Sequence, residues 1–264
     1  MSSVSARPPA SDFRRRFLAG ETLVGTFVKT PTGHATEILG GVGMDFVVID
    51  EEHAPFDRGS IDLALLAARA GNIAGIVRVA EPTPAKLLSA LDDGAQGVLV
   101  PHVSSPQKAR EMVAACRYRG GKRGFSNTNR AGSYGGAGIW EHVAAQDDGV
   151  ATIAMIEDPE ALDDLDAILA VEGLDGVFIG RGDLTVALGA SGLDSAETLA
   201  ATEKIAAAAR KAGKPVCIMA ANAADAARFR EIGASAFIIS SDQGLMRQAA
   251  GKLVADFAVQ QASA

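Results

Sequence analysis

Short apolar, β-branched runs alternate with alanine-rich amphipathic stretches along this chain, and this alternation limits the possible folds more than any other feature. Eight runs are predicted strands, at residues 22–28, 45–50, 75–79, 96–101, 150–156, 176–180, 215–219 and 236–240. Predicted helices lie between them, for example at 59–70, 105–116, 158–171 and 222–232. Repeated βα units build a parallel sheet, and eight such units close naturally into a barrel.

An open, doubly wound α/β sheet is the alternative fold. It would usually carry a phosphate-binding glycine loop after the first strand, and neither GxGxxG nor GxxxxGK[ST] occurs here. The length of 264 residues suits one barrel domain. We therefore predict a single-domain (β/α)₈ TIM barrel of the α/β class over residues 13–264, after a flexible N-terminal tail at 1–12.

Composition and charge exclude several classes of partner. A net charge of -7 and a pI near 5.2 argue against a nucleic-acid or anionic-membrane partner. No run approaches the roughly 18 apolar residues of a membrane span. Cys116 and Cys217 form no CxxC pair and no metal-ligand spacing, which suits the reducing cytoplasm. The run Arg14-Arg15-Arg16 precedes no uninterrupted apolar core, so it predicts a first helix rather than an export signal.

Charged residues at the carboxyl ends of the strands indicate the functional site, because barrel active sites lie at that end. The second predicted strand ends in Asp50, Glu51, Glu52 and His53. Arg78 lies in an otherwise apolar third strand, where a guanidinium needs an anion or full hydrogen bonding. We favour a functional Arg78 over a purely structural ion pair. Asp50 could also orient His53 and raise its basicity.

Two further carboxylates emerge from neighbouring strands. Glu157 follows the fifth strand and Asp183 follows the sixth, which predicts that they lie side by side above the barrel. Two hard oxygen ligands suit a divalent metal cation such as Mg²⁺, Mn²⁺ or Co²⁺. The alternative is that each carboxylate pairs with an arginine such as Arg181.

The connection at 117–149 is unusually long and rich in glycine. A loop of that length inside a compact domain is usually functional or disordered. Its polar residues Arg123, Asn127, Asn129 and Arg130 would suit a lid that faces the substrate, and a surface insertion is the alternative.

Seven segments together resemble the class II, metal-dependent pyruvate aldolases of the HpcH/HpaI family, over about residues 20–257. The segments are IDEEHAP at 49–55, VRV at 77–79, LDDGAQGVLVP at 91–101, RGFS at 123–126, IED at 156–158, VEGLDGVFIG at 171–180 and GDLTVALG at 182–189. The resemblance implies a homo-oligomer, a hexamer built as a dimer of trimers. It also implies a C-terminal helix exchanged between subunits, for which residues 242–256 are the candidate.

The resemblance also assigns roles to individual residues. Asp50 and His53 would form an acid–base dyad, Arg78 would bind the carbonyl group, and the backbone at Gly182 and Asp183 would hold the pyruvate carboxylate. The implied catalytic residues are Asp50, His53, Arg78 and Asp92, the metal ligands are Glu157 and Asp183, and the substrate-binding residues are Arg78, Gly182, Asp183, Arg123 and Ser126.

The predicted reaction is reversible aldol cleavage of a 4-hydroxy-2-oxo acid to an aldehyde and pyruvate, or a close 2-oxo acid. A Schiff-base aldolase that uses Lys29, an acyl-CoA lyase of the malyl or citryl type, and a non-catalytic barrel are the alternatives. Two residues depart from the family pattern. Met155 stands where glutamine is common, and Arg181 lies in G-R-G-D instead of G-P-A-D. Arg181 could bind an acidic acceptor or point to solvent.

Overall fold

The computed structural model describes residues 7–262, with side chains to residue 258, and it confirms the predicted barrel. Eight parallel strands pair in sequence order, and β8 pairs with β1 to close the barrel. The strands are β1 (Leu23–Val28), β2 (Phe46–Asp50), β3 (Ala74–Arg78), β4 (Gly97–Val100), β5 (Ala151–Ile156), β6 (Gly176–Ile179), β7 (Val216–Met219) and β8 (Ala234–Ser241). Each predicted strand is found, with its ends shifted by at most two residues.

The α-helices surround the barrel and connect its strands. Those of the described residues are α1 (Phe13–Leu18), α2 (Gly33–Gly41), α3 (Arg58–Ala70), α4 (Pro84–Asp92), α5 (Pro106–Cys116), α6 (Ile139–Gly149), α7 (Leu165–Leu169), α8 (Arg181–Ala187), α9 (Ala196–Lys211), α10 (Ala223–Glu231) and α11 (Asp242–Ala262). None of these helices is both long and apolar enough to cross a membrane.

Three of the four helices predicted above are confirmed as α3, α5 and α10. The fourth, predicted at 158–171, is instead a 3₁₀ turn at Pro159–Leu162 followed by the short α7. Asp163 and Asp164 separate the two pieces, and Asp164 has a non-helical backbone. Aspartate competes with helix formation through its own side-chain hydrogen bonds, which explains the break.

The amino-terminal end of the barrel is closed by α1. Phe17 is fully buried, and Phe13 packs on Phe17 and on Phe46 with ring centres 5.8 and 5.4 Å apart. The predicted first helix is therefore confirmed. Residues 10–12 form a 3₁₀ turn before it, whereas residues 1–6 of the predicted tail lie outside the described residues.

The long connection does not cover the mouth of its own barrel, so within one chain it is the surface insertion and not a lid. Residues 117–149 join the end of α5 to the start of β5, and both points lie at the amino-terminal end of the strands. The connection packs outward, because Arg130 pairs with Asp62 of α3 and Gly124 lies against Leu88 of α4. Its last third forms α6.

Apolar side chains on α11 face away from the barrel. The start of this helix contacts β1 and β8. Farther along, Met246, Leu253, Val254 and Phe257 are each 59–70% exposed. Exposed apolar side chains of this number usually indicate an interaction surface.

Candidate active site

A cavity opens at the carboxyl ends of the strands. Its volume is about 580 Å³, within the roughly 300–1,000 Å³ typical of ligand sites. His53, Arg78, Gly182 and Asp183 line it, together with Lys29. Four residues predicted from the sequence to form the site therefore face one cavity.

The alternation of side chains along the strands explains why charged groups meet here. Successive residues of a strand point to opposite faces, so every second residue faces the barrel interior. Four strands deliver a charged side chain two positions after an inward-facing apolar residue: Lys29 after Phe27, Asp50 after Val48, Arg78 after Ile76 and Glu157 after Met155.

Asp50 and Arg78 form a buried, bidentate ion pair. Arg78 donates from Nε to Oδ1 of Asp50 at 2.9 Å and from Nη2 to Oδ2 at 2.7 Å, and its guanidinium lies 4.7 Å from the ring centre of Phe27. Burial alone would raise the pKa of Asp50, but Arg78, Lys29 and the amide of His53 outweigh it and lower that pKa. Arg78 is therefore both ion-paired and part of the cavity wall.

The predicted contact between Asp50 and the imidazole of His53 is wrong. Asp50 accepts a hydrogen bond from the backbone N–H of His53 at 3.1 Å, because the turn after β2 folds the chain back over the carboxylate. The carboxylate beside the ring belongs to Glu52, whose Oε2 lies 3.7 Å from Nε2 of His53 and 3.1 Å from Nη1 of Arg78. Sequence reasoning gave Glu52 no role, although it lies in the same acidic run.

Glu157 and Asp183 are neighbours at the mouth, close enough for the charge of Asp183 to act on Glu157. Glu157 is buried and accepts a hydrogen bond from the N–H of His102 at 2.8 Å. It packs against Gly180, where a side chain would not fit, because a Cβ on residue 180 would lie 2.5 Å from the Cβ of Glu157. Asp183 follows three residues after this glycine and lines the cavity. Burial raises the pKa of Glu157 to about 7, and the charges of Asp183 and Glu52 add to the rise, while His102 opposes it.

These two carboxylates fit a divalent cation. A buried carboxyl group that resists ionisation beside a second carboxylate is stabilised as the anion when a cation approaches. Within residues 7–262, no group of three or more acidic, histidine or cysteine side chains is arranged as a metal cluster. Two protein oxygens, completed by substrate and water, suit the hard cations Mg²⁺ and Mn²⁺. Pairing of either carboxylate with Arg181 is not found, because that guanidinium binds Asp194.

His102 is a second residue of the mouth that sequence reasoning left without a role. It follows β4 with a φ of 55°, a left-handed conformation that is uncommon outside glycine. This conformation directs its N–H toward Glu157 and places its Nδ1 3.0 Å from Asp158. Its position at the carboxyl end of a barrel strand was the available signal.

Three predicted site residues lie away from this cavity within one chain. Asp92 ends α4 at the amino-terminal end of the barrel, and its Oδ1 lies 3.3 Å from Nη2 of Arg123. Arg123 is buried against Tyr118, with the guanidinium 4.5 Å from the ring centre. Ser126 lies on the same connection and contacts Thr128. The structure therefore does not bring Asp92, Arg123 or Ser126 to the mouth of their own barrel.

The two departures from the family pattern have defined environments. Arg181 is buried, donates to the carbonyl of Leu193, and stacks 4.8 Å from the ring centre of Phe229. The expectation that it might point to solvent is therefore wrong, because its guanidinium reaches from α8 to the ring of Phe229 in α10. Met155 is buried and lines the cavity beside Gly180, so it fills space with an apolar group.

Comparison with known proteins gives matches along nearly the whole chain. A family model described as HpcH/HpaI aldolase/citrate lyase matches residues 23–249. The chain is 36% identical to a 5-keto-4-deoxy-D-glucarate aldolase of Klebsiella pneumoniae, over 93% of this chain and 96% of that protein.

A second relative, the hydroxypyruvate/pyruvate aldolase of Roseovarius nubinhibens, is also 36% identical, over 94% of this chain and 96% of that protein. Among solved structures, an HpcH/HpaI aldolase/citrate lyase family protein from Burkholderia cenocepacia matches with a TM-score of 0.88 and 28% identity. That match covers 94% of this chain and 99% of the solved chain.

Proposed function

This chain belongs to the HpcH/HpaI aldolase/citrate lyase family and is a carbon–carbon lyase, and we propose that it cleaves 4-hydroxy-2-oxo acids to pyruvate and an aldehyde. The observation that carries the proposal is the single cavity that gathers Arg78, His53 and Asp183, with Glu157 beside it. Proton transfer and stabilisation of an enolate oxygen both need groups that converge on one substrate.

Glu157 and Asp183 would hold the divalent cation, with Mg²⁺, Mn²⁺ or Co²⁺ as the proposed metal. When bound, such an ion supplies Lewis-acid polarisation of the 2-oxo group. The protein prepares this position in advance, because the amide of His102 fixes one oxygen of Glu157. Gly180 leaves the space that the Glu157 side chain occupies.

Arg78 would stabilise the negative charge that develops on the oxygen of the former carbonyl group. Its Nε and Nη2 are bound to Asp50, and its Nη1 contacts Glu52. Five N–H bonds are available on a guanidinium, so two remain for a substrate oxygen. Because Asp50 and Phe27 hold the group before substrate arrives, little reorganisation is needed during the reaction.

His53 would accept the proton of the C4 hydroxyl group during cleavage and return it during condensation. Its ring lines the cavity, and its side chain is 55% exposed. The carboxylate of Glu52, not that of Asp50, lies beside the ring, at 3.7 Å from Nε2. A positioned proton-transfer group contributes about 10²–10⁴-fold to the rate.

The Schiff-base alternative depends on Lys29, which does line the cavity. Its Nζ lies 2.9 Å from Oδ2 of Asp50, so the amine is held in an ion pair with a buried carboxylate. A Schiff-base lysine must instead direct its amine at the carbonyl carbon of the substrate. The contact with Asp50 therefore favours the metal-dependent route.

We also propose that the active form is a homo-oligomer in the cytoplasm, with the hexamer as the specific expectation. Exposed apolar side chains on α11 and on the 117–149 connection, including Phe125 and Trp140, support an interface between subunits. Asp92, Arg123 and Ser126 would then act on substrate only in a neighbouring subunit. Cys116 and Cys217 are free and buried, which agrees with a reducing compartment.

Pyruvate release tests the proposed function. The wild-type protein is incubated with 4-hydroxy-2-oxopentanoate, with a chelator or with added Mn²⁺, and pyruvate is measured with lactate dehydrogenase and NADH. We expect release that stops with the chelator and returns with the metal. Glu157→Gln should abolish it, whereas the control Glu160→Gln, an exposed glutamate on the next turn, should not.

Three results would contradict the proposal. Trapping of pyruvate on Lys29 by borohydride would establish the Schiff-base route. Cleavage of malyl- or citryl-CoA thioesters without cleavage of free 4-hydroxy-2-oxo acids would establish an acyl-CoA lyase. Absence of turnover with either class of substrate would favour a non-catalytic barrel.

A further inference from the structure

We propose that Lys29 determines the preference for aldehydes that carry a second, anionic group, an inference that rests on the proposed aldol reaction. The cavity is much larger than a three-carbon 2-oxo acid needs. Pyruvate bound near Glu157 and Asp183 would leave the side of the mouth formed by β1 and β8 for the aldehyde. Lys29 lies on that side, at the end of β1.

The backbone holds Lys29 in place at the rim. Its N–H donates to Oδ1 of Asp242 at 2.8 Å, and the next amide, that of Thr30, donates to Oδ2 at 3.1 Å. Phe27 lies below on the same face of the strand. The backbone of Lys29 is therefore fixed, while its side chain is 27% exposed and lines the cavity.

Asp50 does not need Lys29 for its own neutralisation. Arg78 already binds both carboxylate oxygens of Asp50, and the amide of His53 adds a third hydrogen bond. The ammonium of Lys29 has three donors, and its contact with Asp50 uses one of them. Two N–H groups are therefore available to a ligand in the cavity.

The other charged side chains on this side of the cavity, Arg181 and Asp225, are less exposed than that of Lys29. Arg181 binds the carbonyl of Leu193 and the carboxylate of Asp194. Asp225 accepts from the amide of Ala221 and from Arg228, each at 3.0 Å.

Neutral polar groups complete the wall on the Lys29 side, from Ser240, Ser241 and Gln248. Ser241 pairs with Phe27 in the β1–β8 register, so it lies close to the position of Lys29. A cation with free donors beside hydroxyl and amide groups suits the carboxylate of an acidic aldehyde.

The test compares condensation of pyruvate with two matched pairs of aldehydes. Glyoxylate is paired with glycolaldehyde, and succinic semialdehyde with butanal, so that each pair differs mainly in charge. The variants are Lys29→Met, the charge-conserving Lys29→Arg, and the control Lys86→Met. Lys86 also pairs with a carboxylate after β2, that of Glu51, but it does not line the cavity.

We expect Lys29→Met to lower the acidic-to-neutral ratio of kcat/KM by about tenfold or more, because a hydrogen bond to a charged group typically contributes about 1.5–3 kcal/mol. Lys29→Arg should retain most of the ratio, and Lys86→Met should leave it unchanged. Lys29→Gln repeats the test with a polar neutral side chain if Lys29→Met does not fold.

An equal loss with acidic and neutral aldehydes would overturn the inference, because it would show that Lys29 only positions Asp50. Exchange of the pyruvate methyl protons with solvent separates this failure from failure of the proposed function. Exchange that persists while the ratio stays unchanged overturns only the role of Lys29. Lack of exchange in the metal-loaded wild type overturns the proposed function and this inference together.

Discussion

At the scale of single residues, the ion pair of Asp50 and Arg78 organises the mouth of the barrel. Arg78 of β3 contacts Asp50, Glu52 and the ring of Phe27, so one guanidinium joins the ends of β1 and β2 to β3. Glu51 has a different task, because it pairs with Lys86 and accepts the amide of Ala80. Asp50 and Glu52 therefore contact Arg78 in the cavity wall, whereas Glu51 binds the segment that follows β3.

Replacing Arg78 by lysine tests the geometry of that guanidinium. Arg78→Lys keeps the charge but cannot bind Asp50 at two points while it also contacts Glu52. We expect kcat for pyruvate formation to fall by about 10²–10³-fold, the loss typical of a removed oxyanion donor. Steady-state kinetics measure this, with circular dichroism to verify the fold. A variant with nearly wild-type kcat would exclude a direct role for the guanidinium.

The pKa of Asp50 predicts a pH-dependent loss of stability. Because this pKa is lowered in the folded state, the carboxylate stabilises the protein above its unfolded value of about 3.9, and this stabilisation is lost as pH falls through the folded value. Asp50→Asn leaves Arg78 without its buried anion, which costs about 3–5 kcal/mol at neutral pH. Urea titrations of the wild type and of Asp50→Asn should show a difference in the free energy of unfolding that becomes smaller below about pH 4. A difference that stays constant would contradict the assignment.

The charged residues of the site could be predicted from the sequence, but their partners could not. A carboxylate or guanidinium at the end of an apolar strand is visible in Asp50, Arg78 and Glu157. Whether Asp50 meets the amide or the imidazole of His53 depends on the backbone of one tight turn. The left-handed conformation of His102 has only a weak signal in its residue type, because histidine adopts it more often than most residues but still rarely.

At the scale of elements, a buried network joins α1 and α5 to the barrel. Asp175, just before β6, accepts from Arg14 of α1 at 2.8 Å and from Arg117 at 3.0 Å, and it also binds the amide of Thr152. All these contacts lie at the amino-terminal end. The network therefore supports the barrel on the side opposite the cavity.

Removing the charge of Asp175 should destabilise the fold without changing the chemistry directly. Asp175→Asn leaves Arg117 buried and short of its anion, so we expect a loss of about 3–5 kcal/mol in the free energy of unfolding. Chemical denaturation measures it. The control is Asp166→Asn, which breaks an exposed pair with Lys211 and should change stability by at most about 1 kcal/mol. Equal effects of the two variants would contradict the account of this network.

The exposed apolar side chains of α11 predict an assembly that depends on this helix. Leu253→Lys combined with Phe257→Lys places charges in the proposed interface, whereas the control Lys252→Glu changes a charge at an exposed neighbour. We expect the double variant to shift to smaller species in sedimentation velocity and the control to keep the wild-type distribution. A double variant that sediments like the wild type would show that this surface is not an interface.

The elements show both the strength and the limit of sequence reasoning. The eight strands were predictable because β-branched runs such as FVVID fill both faces of each strand. The choice between a lid and a surface insertion stayed open because composition says nothing about which end of the barrel a connection occupies. The order of the elements does indicate that end. A segment that leads from a helix to the next strand starts and ends at the amino-terminal end of the barrel. The helix α6 was not predicted within the same connection.

At the scale of the whole molecule, the contacts that close the barrel and the charged groups of the cavity lie at opposite ends of the strands. Aromatic side chains of α1 and the Asp175 network close one end, while four strands deliver charged groups to the other. The resemblance predicts functional roles for Asp92, Arg123 and Ser126, yet one chain keeps them away from its own cavity. A single sequence does not state which surface meets which neighbour, so their use of an adjacent subunit remains a proposal.

The most direct measurement is exchange of the pyruvate methyl protons in D₂O, followed by proton NMR with and without divalent metal. It reports enolate formation and needs no knowledge of the aldehyde. We predict exchange that requires metal and is lost in Arg78→Ala and in Glu157→Gln. Exchange that proceeds equally well without metal, or that survives in both variants, would contradict a site built on the Glu157 and Asp183 pair facing Arg78.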